Sequence, residues 1–149
     1  MRRIGFVLLT VLLMNCNNSE NSGNAVRKTQ SDSVMDEVMK GHNMGMAKME
    51  RVAETKKKIQ HLIDSVSGLP YALQQKATRY RMQLDSVFNR LTFAGYAMDK
   101  WMDEFDMDTL KENEEERVKY LQSEKSKIAR VNEVMGKSIQ IADSLLSRK

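Results

Sequence analysis

Apolar positions recur at alternating steps of three and four residues from Ser31 onward, the period of a helix that buries one face. The stripe is clearest in the middle of the chain. There Leu73, Ala77, Tyr80, Leu84, Val87, Leu91, Ala94, Met98, Trp101 and Phe105 follow one another over almost five heptads, the seam of a coiled coil. A first segment carries Met35, Met39, His42, Met46, Met49, Val52, Ile59, Ile63 and Val66. A third carries Leu110, Arg117, Leu121, Ile128, Val131, Met135, Ile139, Ala142 and Leu145 or Leu146. Two breaks, Ser-Gly-Leu-Pro at 67–70 and Asp-Met-Asp-Thr at 106–109, divide the pattern into helices expected over 31–67, 70–105 and 109–147. Pro70 suits the first turn of a helix, where its missing N–H would have no partner anyway, and Thr109 with Glu112 makes a capping box. At 1.5 Å per residue these segments are rods roughly 50–60 Å long. Short connections between long amphipathic helices force antiparallel neighbours. The expected fold is therefore all-α, three long antiparallel helices in an up-down-up bundle that fills 31–149. The alternative assembly is an open hairpin that completes its core as a homodimer.

The front of the chain breaks the helical pattern. Residues 1–15 hold Arg2 and Arg3, then an apolar run from Ile4 to Met14. That run is too short for a membrane-spanning helix, which needs about 20 residues, and has the layout of a signal peptide. Cys16, the chain's single cysteine, follows directly. Leu13-Met14-Asn15-Cys16 resembles the lipobox of bacterial lipoproteins, in which the cysteine is diacylated and becomes the new N-terminus. Leu13 fits that pattern, whereas Asn15 and Met14 are larger than its usual small residues. An ordinary signal peptide followed by an incidental cysteine is the competing reading. Residues 16–30 are polar and Asn/Ser-rich, so Cys16 would carry acyl chains (palmitate among them) at the head of a disordered tether. The fourteen residues after it reach roughly 20 Å as a flexible coil. One acyl chain binds a membrane only marginally and two or three hold it durably. The expected location is the cell envelope, membrane-anchored and facing the periplasm or the cell surface.

Composition agrees with helices and removes several function classes. Among 149 residues there are 12 Met but one Pro, one Trp and one Cys, which disfavours a β-sandwich and a disulfide framework. The formal charge of +4 includes Arg2 and Arg3; without residues 1–15 the chain has 22 basic and 20 acidic residues, which gives no argument for nucleic acid. No G-x-S-x-G, H-E-x-x-H or Walker loop occurs, and neither His42 nor His61 has a Glu three residues before it, as di-iron bundles require. The expectation is a protein that is not an enzyme.

Three sets of residues stand out along the helices: Asp36-Glu37-Val38-Met39 with His42 and Met46-x-x-Met49, Ala97-Met98-x-x-Trp101-Met102-x-x-Phe105, and Tyr120-Leu121 ahead of Ile128, Val131 and Met135. Together they resemble small predicted lipoproteins of the Bacteroidota, often labelled "viral A-type inclusion protein". The likeness covers about 31–147 and implies an envelope location and a helical fold. It implies no activity.

An up-down-up path gathers the start of the first helix, the end of the second and the start of the third at one end. That end would collect Met35, Met39, His42, Met44, Met46, Met49, Met98, Met102 and Met107. Thioether and imidazole ligands select soft ions, Cu(I) above all. His42, Met46 and Met49 share a helical face, and Met39 and Met98 are the further candidate ligands. Methionine is also a flexible core filler beside aromatics such as Trp101 and Phe105, which accounts for the same residues without a metal. Asp103, Glu104, Asp106, Asp108, Glu112, Glu114, Glu115 and Glu116 crowd the same end, where acids cap helix starts and oppose the macrodipole. The far end collects Lys56, Lys57, Lys58, Lys76, Arg79, Arg81, Lys137, Arg148 and Lys149, a basic tip suited to anionic polymers or simply to helix C-termini. Three function classes follow: a non-enzymatic scaffold that binds an unidentified envelope protein, a Cu(I)-binding or sensing lipoprotein, and an envelope chaperone with a Met-rich client surface.

Overall fold

The computed structural model describes residues 28–147. The expected signal peptide, Cys16, most of the tether, and Arg148 and Lys149 lie outside the described residues. The chain forms α1 (Gln30–Ser67), α2 (Tyr71–Glu104) and α3 (Glu114–Leu146), each packed against both others. Side-chain contacts fix the directions. Ser31 meets Glu114, Gly41 meets Asn132 and Arg51 meets Asp143, so α1 and α3 run parallel. Trp101 meets His42 and Glu124, whereas Arg81 meets Ile63 and Arg90 meets Ser138, so α2 runs against both. The up-down-up bundle is thus closed by its own three helices, and the open hairpin is not needed to complete the core.

The seam of α2 from Leu84 to Trp101 is buried as its spacing predicts: Leu84, Leu91, Ala94 and Met98 have no exposed surface. The seam of α1 is the expected one from Val52 on, where Val52, Ile59 and Ile63 are buried, but it is displaced in the first half of the helix. Ser31, Val38, Gly45, Val52 and Ile59 are buried at strict seven-residue steps, while Met35, Met39, His42 and Met49 flank them half-buried. Small residues hold this line because the helices come close. A Cβ on Gly41 would lie 2.8 Å from Ile128 Cγ2, and one on Gly45 would lie 2.8 Å from the sulfur of Met98. The bare backbone at Gly41 also lets the Asn132 amide donate to the Gly41 carbonyl at 2.7 Å, and the Lys48 ammonium donates to Asn132 Oδ1 at 2.9 Å.

The first break is stapled by side chains. The Gln74 amide donates to the carbonyls of Ser67 and Leu69 at 2.8 and 2.7 Å, serving acceptors that the end of α1 leaves free. Pro70 stands just before α2 as its N-cap, and its carbonyl accepts from the Gln74 backbone N–H. The second break differs from expectation. α3 starts at Glu114 instead of near 109, because Asp106 accepts the Thr109 hydroxyl at 2.8 Å and folds 105–113 into a loop. The N-cap is Asn113, whose side chain accepts from Glu116 N at 3.2 Å. Arg117, placed in the seam by its spacing, instead donates to the carbonyls of Thr109 and Met107, and Val118 takes the buried position. Leu110 sits in the loop at φ 60, a left-handed conformation that strains a branched side chain.

Candidate functional site

The end that joins the start of α1, the end of α2 and the start of α3 is the most built part of the molecule. Thr29 caps α1 in a reciprocal box with Asp32, whose carboxylate accepts the Thr29 N–H at 2.9 Å. A carboxylate from α3 completes that helix start: Glu114 accepts the Ser31 N–H at 2.8 Å and the Ser31 hydroxyl at 2.7 Å. The point where the N-terminal segment joins the bundle is therefore held by two elements that are remote in sequence.

Behind this clasp runs a ladder of rings. His42 lies 6.0 Å from Trp101, Trp101 stacks on Phe105 at 4.8 Å, and Phe105 on Tyr120 at 6.3 Å between centroids. The indole N–H of Trp101 donates to Glu124 Oε2 at 3.0 Å, and Lys127 donates to the other carboxylate oxygen at 2.7 Å. Glu124 is only 2% exposed, so these two donors satisfy a carboxylate that water barely reaches. The Tyr120 hydroxyl accepts the Asp106 N–H at 2.8 Å and ties the ladder to the loop.

Most acids of this end have local partners. Asp106 is held below the ordinary carboxylate range by the Asp108 backbone N–H and then by the Thr109 hydroxyl. Glu114 is held low by the Ser31 hydroxyl and then its N–H, and Asp32 by the backbone and then the side chain of Thr29. Glu104 pairs with Lys100, Asp108 with Lys111, and Glu115 and Glu116 with Lys119. Capping and pairing account for six of the eight carboxylates gathered here, all but Asp103 and Glu112.

The structure divides the candidate soft-metal ligands. Met98 is fully buried against Gly45, and Met49 packs on the core. Met39 and His42 are half-buried, with His42 Nδ1 3.2 Å from Asn43 Oδ1, and Met46 is 41% exposed. The first- and second-helix methionines share one end of the bundle as the topology predicts, but they occupy the core, its edge and the surface. No family model, curated protein or solved structure matches this chain. What the arrangement can do has to come from its own chemistry.

Charge separates along the rod. The half containing the clasp, residues 28–50 and 88–129, has ten basic and fourteen acidic side chains. The other half, 51–87 and 130–147, has nine basic and five acidic. In that basic half Lys56 lies 5.6 Å over the Phe88 ring, beside an open hollow of about 780 Å³ lined also by Lys57, Lys58 and His61. Arg81 pairs with Asp85 and reaches Ser67, and Lys137 pairs with Glu133. None of the described helices is long and apolar enough to cross a membrane.

Three features escaped the sequence reading. Glu124 is the buried polar member of the α3 seam; its place three residues after Leu121 and four before Ile128 was the available signal. Gly41 and Gly45, one turn apart in a helical run, signalled the close approach. Asn113, three residues before Glu116, was a second N-cap signal beside the capping box expected at Thr109.

Proposed function

We propose that this chain is a lipid-anchored protein of the bacterial cell envelope whose bundle is a non-enzymatic scaffold or partner-binding module. The observation that carries the reading is the clasped start of α1. In the sequence a polar segment headed by Cys16 precedes a helix that begins at Gln30, capped by Thr29 and held by Glu114. A rigid rod mounted on a short leash suits a domain that must stand near a surface and present its flanks. The use of the ring ladder and Glu124 as internal structure fits this role, since these polar groups are turned toward one another.

The test is metabolic labelling with an alkyne palmitate analogue in a bacterial host, followed by membrane fractionation of the full chain. The expected result is a labelled, membrane-bound product and, for Cys16→Ser, loss of both label and membrane association. A wild-type chain that is exported without label overturns the anchor.

A further inference from the structure

The outward line of α2 differs from those of its neighbours. Tyr71, Met82 and Phe93 follow at steps of eleven residues, which is three helical turns, and so fall on one line opposite the seam. They are 76%, 67% and 58% exposed, and Tyr96 beside them is 58% exposed. Between them that line carries Gln75, Thr78, Ser86 and Asn89, with no charge from 71 to 96. The outward lines of α1 and α3 are charged by contrast, through Asp36, Lys40, Glu50, Glu54 and Lys57 on α1 and Glu115, Lys119, Arg130, Glu133 and Lys137 on α3. Four large apolar side chains on one helix face, without a charge among them, are a surface that gains by being covered.

We propose that a second copy of this chain covers it, through antiparallel pairing of the two α2 helices about a twofold axis at Met82. The spacing itself selects this occupant. Equal steps on either side of Met82 are self-complementary under such an axis, which places Met82 against Met82 and each Tyr71 against Phe93 of the other copy. The flanks agree. In this register Arg79 comes level with Asp85 of the second copy and Thr78 with Ser86, so no like charges are opposed. An unrelated partner would have no reason to match a symmetric register, and a strongly charged one would find no counter-charge on the line. With about 150–250 Å² for an aromatic side chain, the four residues offer roughly 500 Å² per copy. The total of about 1,000 Å² lies at the low end of specific interfaces and describes a reversible dimer. The inference rests on the partner-binding part of the proposed function and not on the lipid anchor.

Thiol cross-linking in the full chain tests it. Cys16→Ser leaves an introduced cysteine as the only thiol and removes the anchor, so that failure of the dimer and failure of the anchor are read in separate experiments. Under mild oxidation, Met82→Cys is expected to form a disulfide-linked species of twice the chain mass. Tyr71→Cys alone is expected to stay single but to cross-link when mixed with Phe93→Cys. Phe93→Lys in the Met82→Cys chain is expected to abolish the cross-link without change in helical circular dichroism, since the position faces solvent. Failure of Met82→Cys to cross-link overturns the proposal, as does self-linking of Tyr71→Cys as efficient as that of Met82→Cys, which would mean parallel or unspecific pairing.

Discussion

The two ends of the bundle are built on opposite principles. At the clasped end all three helices and the loop 105–113 converge, and rings, caps and a buried carboxylate fill the space between them. At the far end the third helix runs out. Trp101 faces Glu124 and Arg90 faces Ser138, and the same antiparallel register brings Leu146, where α3 ends, opposite residues 79–82 of α2. The first turns of α2 therefore rest on α1 alone among the described residues, and Leu73 and Tyr80 are 46% and 37% exposed although they continue the seam. A heptad pattern states which face a helix offers; whether that face is covered depends on how far the neighbours extend.

Substitutions at matched seam positions break the comparison most sharply. Trp101→Ala removes the centre of the ring ladder and leaves Glu124 short of a donor, and should destabilise the fold by about 3–5 kcal/mol. Leu73→Ala, half in water already, should lose no more than about 1 kcal/mol. Urea unfolding of the two variants measures the gap, and equal losses would show that the far end is as tightly packed as the clasped one.

Glycines give the next contrast. Gly41→Ala drives a methyl group into Ile128, which is 1% exposed and stiff at χ1, so overpacking of about 1–3 kcal/mol outweighs the helix propensity gained. Gly136, with nothing within 4 Å of a new Cβ, should gain about 1 kcal/mol on replacement by Ala. Opposite signs in thermal unfolding are the expected outcome. In the loop, Leu110→Asn relieves a left-handed residue and should stabilise by up to about 1 kcal/mol, visible as a small rise in the urea midpoint.

The smallest effect is that of acid on the clasp. Asp32, Asp106 and Glu114 have lowered pKa values in the folded state. Their contribution is complete above the ordinary carboxylate pKa of about 4 and is lost as pH falls through the lower folded values. Amide protons of Ser31 and Asp108, which donate to Glu114 and Asp106, should move late in that titration when followed by NMR from pH 6 to pH 2.5. For the metal alternative the scaffold reading gives a plain expectation: Cu(I) under reducing conditions leaves the melting temperature of the wild type and of His42→Ala/Met46→Ala alike.

The fold was legible because three long amphipathic runs with two short breaks allow few arrangements. Leu84 to Trp101 needed nothing but spacing. The site was legible only as a place. The topology brings methionines, His42 and the acids to one end, yet their roles were set by features that hydrophobicity does not record. Ser31 and Gly45 hold the α1 seam because they are small, so a pattern weighted by apolar character follows Met39, His42 and Met46 instead, one residue off the buried line. The α3 start slipped from Thr109 to Asn113 because two capping signals competed and Asp106 claimed the threonine hydroxyl. Glu124 reads as a solvent residue until the indole that receives it is placed across the helix interface.

Trp101 carries one more consequence. It is the only tryptophan in the chain, 4% exposed, stacked on Phe105 and bonded to a carboxylate. The molecule therefore has a built-in tryptophan reporter at its clasped end and none at the other. Emission excited where tryptophan alone absorbs, and not Tyr71 or Tyr80 of the far turns, will follow the seating of α1, α2 and α3 around that indole and stay silent when those turns fray, so fluorescence and helical circular dichroism separate the two ends of an unlabelled protein.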